Sequence, residues 1–422
     1  MTNSILVQGG LVMTANGPTA ADVLVEDGVV AQVGPDLTGD TLVDASGCWV
    51  GPSFVDLHVH LREPGQEWKE DVASGSAAAA AGGFGAVVAM PNTTPAIDSG
   101  YLAQHIANRG AEVGLCDVFV AGAITEGRAG KALAHLDDLW DAGVRIFSDD
   151  GGSVADAGLL RRAMEYLEAR GGIIAQHAED SGLAAGGHMH EGVISSQLGI
   201  AGLPSIAEEV IIARDIQLVE LTGCRYHVQH VSTAGSMALV AAAKEKGLAV
   251  TAEVCPHHLA LDHTLVLGMS GSAKMYPPLR DESDVAALVA GLRSGVIDCV
   301  ATDHAPHSAN EKEVPFEEAP RGVIGLETAA GVVNDAVGLE PRTFFERMSV
   351  APAKILGAAA HGQWIDPGVV GNLVVFDPTE EWVVPRHGVS RSSNTPWAGK
   401  TLTGRVQLTM LNGIVTYQKA TS

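Results

Sequence analysis

The sequence predicts a mixed α/β fold: a (β/α)8 TIM-like barrel with a small β-sandwich built from the N- and C-terminal segments. Three observations carry that expectation. Between residues 50 and 302, short apolar runs alternate with longer helical stretches. Both ends of the chain instead hold strand-like segments broken by Gly-containing turns. No Gly-x-Gly-x-x-Gly follows any of the strands, which counts against an open dinucleotide-binding sheet.

Taken in order, residues 4–14, 22–33 and 41–50 read as strands punctuated by Gly9-Gly10, Asp27-Gly28 and Ser46-Gly47. The far end repeats the style over 371–376, 381–384 and 406–417, with a turn at Asn412-Gly413. Neither set closes a sheet alone, so the two are expected to pair, giving a β-sandwich domain of 1–52 and 362–422 around a barrel of 53–361. Eight barrel strands are expected at 50–57, 85–90, 117–124, 144–148, 172–176, 225–229, 249–254 and 299–302. Helices are expected at 71–81, 131–141, 158–169, 205–221, 233–246 and 283–293. The Gly/Ala run of 74–85 reads as helix and turn, not as a phosphate loop. In such a barrel the chemistry sits at the C-terminal ends of the strands.

Composition narrows the function. A formal net charge of −24 argues against nucleic acid or an anionic membrane surface as partner. Five cysteines without a Cys-x-x-Cys pair suit free thiols in a reducing compartment. Met1 to Ser4 lack a basic leader, and no apolar run reaches about 18 residues, so a soluble cytoplasmic protein is expected.

The strand ends hold the chemistry. The first carries Asp-Leu-His-Val-His-Leu-Arg-Glu-Pro-Gly, in which His58 and His60, spaced i, i+2, project from one strand face where a single cation can take both imidazoles. Arg62 follows, close enough to hold an anionic group. The fourth strand ends in Asp149-Asp150, the fifth in His177-Ala178-Glu179-Asp180, the sixth in His230, and the eighth in Asp303-His304 with His307 beyond. A lone strand-end Asp is usually a helix cap, and a lone His a satisfied polar residue. Five such strand ends on one rim point to a metal centre. Imidazoles and carboxylates without cysteine suit one or two Zn²⁺ ions, and Mn²⁺ or Co²⁺ accept the same ligands. Two ions could share a hydroxide and so supply a nucleophile at neutral pH.

The combination of D-L-H-V-H-L-R-E-P-G with K-E-D, M-P-N-T-T-P (90–95), F-S-D-D-G (147–151), H-A-E-D (177–180), H-V-S-T (230–233) and A-T-D-H-A-P-H (301–307) resembles the dihydroorotase family of the cyclic amidohydrolase superfamily, over nearly the whole chain. The resemblance implies a metal centre of His58, His60, Asp150, His177, His230 and Asp303. It implies that Arg62 and Asn92, helped by His307, hold the substrate carboxylate. Asp303 is the implied general acid/base as activated water opens the ring amide of L-dihydroorotate. Run in reverse, the reaction closes N-carbamoyl-L-aspartate in pyrimidine biosynthesis. A homo-oligomer and an association with aspartate transcarbamoylase are also implied.

Hydantoinases and allantoinases bridge their metals with a carboxylated lysine at the fourth strand, but no lysine occurs between Lys131 and Lys244. Asp150 takes that place, as in the bacterial dihydroorotase branch. One departure is Tyr276, where the family carries an Asn that contacts the pyrimidine; a phenol cannot reproduce an amide's donor-acceptor pair. The alternatives are a hydrolase of another cyclic amide or ureide, and a catalytically silent scaffold partner of aspartate transcarbamoylase. His257 and His258 face the same rim and read as structural; His188 and His190 read as loop residues. Glu311-Lys312-Glu313 with Glu317-Glu318 reads as a solvated loop able to close over substrate, and 321–325 as a loop offering backbone groups to the ring.

Overall fold

The computed structural model describes residues 4–420; Met1 to Asn3, part of the segment read above for a leader, lie outside that range. Eight short parallel strands occupy the centre: Phe54–Val59, Phe84–Ala89, Asp117–Val120, Ile146–Phe147, Ile173–Gln176, Arg225–Val228, Val250–Val254 and Cys299–Val300. The first three pair in one sheet and the last five in another. Isolated parallel bridges join Gly122 to Phe147 and Val59 to His304. The first two strands are buried at every position, as apolar strands covered on both faces must be.

Five of the six expected helices form close to their expected bounds, the first opening at Asp71, whose carboxylate accepts from Ser74 N–H at 2.8 Å. The helix expected over 131–141 is confined to Leu136–Asp141. Gly127, Arg128 and Gly130 adopt positive φ, and Thr125 pairs with Leu133, so the preceding stretch folds back on itself as a loop.

Strands from both ends of the chain join one eight-stranded sheet, in which Leu373–Val383 runs antiparallel to Trp49–Pro52. The turns Asp27-Gly28 and Asn412-Gly413 have positive φ at both residues, the geometry that matches the twist of a two-residue hairpin. Gly9-Gly10 is not a turn. The strand Ile5–Thr14 runs through it, shifting register between Val7 and Gly10, because Gly9 at φ +77° absorbs the irregularity as a bulge. Likewise 371–376 and 381–384 merge into a single strand with a register shift between Asp377 and Glu381. Among the described residues no helix is long and apolar enough to cross a membrane.

The terminal sheet meets the parallel strands through an aromatic cluster. Phe344 stacks on Phe376 with ring centroids 5.2 Å apart and meets Phe54 edge-on at 5.7 Å and Trp49 at 5.6 Å. Phe344 is fully buried, so Phe344→Ala is expected to cost about 3–5 kcal/mol in urea unfolding, against near-neutral change for Tyr101→Ala on the surface.

Candidate metal centre

The six side chains expected at a metal centre converge. His58 lies near the end of the first parallel strand and His60 just past it; Asp150, His177, His230 and Asp303 each follow the end of a different strand by one to three residues. All six are buried. Asp303 Oδ1 is 2.9 Å from His60 Nε2 and 3.6 Å from His58 Nε2. Asp150 Oδ1 is 3.3 Å from His58 Nε2 and 3.7 Å from His230 Nε2, and its Oδ2 is 3.6 Å from His60 Nε2. His177 Nδ1 lies 2.8 Å from His230 Nε2, so one ring donates to the other, and His177 Nε2 is buried without a partner.

The protons in this cluster can be placed by elimination. His58 Nδ1 lies 2.8 Å from Glu253 Oε1, and His60 Nδ1 lies 2.8 Å from Asn92 Oδ1. Both partners are acceptors, so in the neutral rings Nδ1 carries the hydrogen and Nε2 keeps a lone pair. Those two lone pairs face the oxygens of Asp150 and Asp303, with no lysine or arginine among them. His58 Nε2 is buried with no hydrogen-bond partner. Acceptors enclosed against acceptors are unfavourable unless a cation sits between them, and a divalent ion fits this donor set. Two overlapping groups, His58–His60–Asp303 and His58–Asp150–His230, each bring ligand atoms within 4.8 Å of one another, enough for one ion or two.

Charge and backbone agree with that reading. Burial opposes ionisation of Asp150 and Asp303, and only positive charge at the surrounding imidazole nitrogens, the place a bound cation would take, holds both carboxyls below their usual range. Glu253 resists burial in the same way: hydrogen bonds from His227 and His58 bring it down to about 2. Arg62, His230 and Asp303 adopt positive φ of 61°, 33° and 46°. Non-glycine residues tolerate that region only where surrounding contacts over-determine them.

A cavity of about 200 Å³ opens over the cluster, walled by Arg62, His307, Tyr276 and the loop 320–322. A larger open groove of about 870 Å³ beside the C-terminal loop contains none of the six residues. Arg62 is buried; its Nε donates to the Pro306 carbonyl at 3.1 Å, and no carboxylate pairs with it among the described residues. Asn92 bridges two members of the cluster, accepting from His60 and donating to Asp150 Oδ2 at 3.2 Å, while also lining the cavity. His307 Nε2 lies 2.8 Å from the Arg321 carbonyl and its backbone N–H donates to Asn394 Oδ1 at 3.0 Å. The Tyr276 ring packs 4.5 Å from His177, with the Arg321 guanidinium 3.8 Å over it and its hydroxyl donating to Glu179.

Several residues escape sequence reasoning. Glu253 orients His58 and also binds His227 Nε2 at 3.0 Å; its signal was a lone carboxylate inside the apolar run 249–255. Asn394, from the C-terminal segment, donates to the carbonyls of Ala305 and Gly322 at 3.0 and 3.1 Å and so braces two walls of the cavity; nothing in its surrounding sequence marks it. Lys312, read as solvated, is buried and donates to the carbonyls of Gly271 and Pro320, because the loop folds inward onto it. Glu311 pairs with Lys69 at 2.9 Å. His188 and His190 lie outside the cavity wall; His190 belongs to a two-residue strand, Met189–His190, paired with Gly202–Leu203.

Comparison with known proteins bears on this geometry. The dihydro-orotase-like family model matches residues 47–236. A dihydroorotase of Pelobacter propionicus is 44% identical over 99% of this chain and 100% of its own length. One from Mycobacterium tuberculosis is 45% identical over 98% of both chains. Among solved structures, the L-hydantoinase (dihydropyrimidinase) of Arthrobacter aurescens superposes with a TM-score of 0.87 at 25% identity, covering 100% of this chain and 97% of its own. A dihydropyrimidinase of Brevibacillus agri shares the fold, with a TM-score of 0.82 at 24% identity over 98% of this chain and 94% of that one.

If Glu253 orients His58, Glu253→Gln weakens metal affinity about 10–100-fold, read by competition against a chelating dye, while the folded content by circular dichroism stays unchanged.

Proposed function

The chain belongs to the dihydroorotase family, and from that premise we propose that it interconverts L-dihydroorotate and N-carbamoyl-L-aspartate at this centre. The observation that carries the substrate class is Arg62: a buried guanidinium that no carboxylate contacts among the described residues, in the wall of a small cavity directly over the acceptor cluster. A buried guanidinium with no carboxylate in contact favours an anionic group brought by the substrate. Dihydroorotate brings a carboxylate on a cyclic amide; hydantoin and allantoin bring none.

His58, His60, Asp150, His177, His230 and Asp303 are the proposed ligands of Zn²⁺, one ion or two. Bound zinc supplies Lewis acidity toward the ring carbonyl and lowers the pKa of water toward roughly 7. Asp303, ionised in its histidine surroundings, takes the proton that the attacking water gives up and returns it to the leaving ring nitrogen. Arg62 receives the substrate carboxylate, with His307 beside it; Asn92 holds His60 and Asp150 in register and reaches the same carboxylate from its cavity side. Half-buried Tyr276, with the Arg321 guanidinium over its ring, forms the opposite wall.

The architecture proposed with this function is a closed (β/α)8 barrel of 53–361 carrying a β domain of 1–52 and 362–422. The two bridges linking the parallel sheets support closure, and the separate apolar cluster around Val12, Val23 and Met410 supports the β domain. Five buried free cysteines support a reducing, cytoplasmic setting. A homo-oligomer and an association with aspartate transcarbamoylase rest on the family alone.

Purified protein is expected to turn over dihydroorotate and N-carbamoyl-L-aspartate, and to lose both activities on chelation and regain them with Zn²⁺. Turnover of hydantoin alone would overturn the reading in favour of another cyclic amide hydrolase, and no turnover of any cyclic amide by metal-loaded protein would favour a silent scaffold. Asp303→Asn should lower kcat by about 10²–10⁴-fold with little change in KM. Arg62→Met should instead raise KM for both substrates about 10–100-fold, the worth of a charge-assisted hydrogen bond.

A further inference from the structure

Just past the strand Val250–Val254, the run Cys255-Pro256-His257-His258 places three metal-ligating side chains in one turn. Cys255 stands at the cap of a short helix, Pro256–Ala260. A ligand atom from each of Cys255, His257 and His258 lies within 4.8 Å of those of the other two. All three are buried, and none lines the cavity over the catalytic cluster.

Hydrogen bonding leaves these side chains unfinished. His258 Nε2 lies 3.1 Å from the Pro277 carbonyl, which only accepts, so Nε2 carries the ring proton and Nδ1 keeps its lone pair. That Nδ1 is buried without a partner, and so is His257 Nε2. Burial keeps both rings neutral at pH 7, bringing His257 down to about 4 and His258 well below its usual value, so neither nitrogen is satisfied by taking up a proton. An enclosed imidazole lone pair without a partner, on a side chain grouped with a second imidazole and a thiol, lacks an electrophile. Two imidazoles and one cysteine form a donor set that selects zinc-type ions over the magnesium class.

We propose that Cys255, His257 and His258 form a second cation site of the zinc type, distinct from the catalytic centre and structural in role. On binding, the cation displaces the thiol proton to solvent; one sulfur and two nitrogens each form a bond to it, and a water fills the fourth position. Through the His258–Pro277 hydrogen bond, this site anchors the segment that begins at Tyr276, one wall of the substrate cavity.

The test needs no turnover. Full-length protein is stripped of metal and reloaded with Co²⁺, with bound metal counted by elemental analysis. The catalytic cluster offers only nitrogen and oxygen, so a sulfur-to-cobalt charge-transfer band in the near ultraviolet reports the proposed site. The band is expected in the parent protein, together with one cobalt per chain beyond those retained by Cys255→Ser. It should vanish in Cys255→Ser and persist in Cys299→Ser. His258→Gln, which keeps a donor toward Pro277 while deleting the lone-pair nitrogen, should shift or abolish the band and serves if Cys255→Ser does not fold. Absence of the band in loaded parent protein, its survival in Cys255→Ser, or an unaltered band in His258→Gln overturns the proposal.

Discussion

The constraint on which this molecule turns is that His58, His60, Asp150 and Asp303 turn acceptors toward one another. His58 and His60 each tie up one ring nitrogen on an oxygen acceptor, which turns the other lone pair toward the carboxylates of Asp150 and Asp303. A protein interior holds such an arrangement only if something positive completes it. Much of the surrounding design keeps those lone pairs aimed: Glu253 behind His58, Asn92 between His60 and Asp150, and left-handed backbone at His230 and Asp303. The same positive φ at Arg62 turns a buried cation into the cavity beside the cluster.

The terminal segments are more than an appendage to this centre. Asn394 spends both amide hydrogens and its oxygen on the two loops that wall the cavity, fixing the backbone of Ala305, His307 and Gly322. Nearby, the Ser390 hydroxyl and the Arg391 N–H donate to Glu70, which also lies 3.3 Å from His304 Nε2, so the C-terminal loop and the loop after the first strand are locked to the eighth strand end. The aromatic contacts of Phe344 hold the sheet that presents this loop, linking core packing to site geometry.

Position 276 shows how one departure from a family pattern can be absorbed. The phenol hydroxyl is committed to Glu179, and the ring packs against His177 and under the Arg321 guanidinium. The residue therefore acts as a packed wall, and any polar recognition of the ring at this side falls to Arg321 and the backbone around it.

The strand-helix alternation was legible in the chain, because periodicity is set by neighbours a few residues apart, and so were the strand ends from which the six clustered residues come, because each follows an apolar run; the choice of those six among their neighbours came from the family resemblance. It also marked both two-residue hairpins, through Asp-Gly and Asn-Gly. Long-range packing, not local pattern, makes Gly9-Gly10 bulge within a strand, buries Lys312, and brings Glu253 and Asn394 to the site. Those outcomes depend on partners far along the chain: Glu253 meets His58 across 195 residues and Asn394 meets His307 across 87. A hydrogen bond at such separation leaves no local pattern, since it exists only once the strands that carry its two ends have been brought side by side.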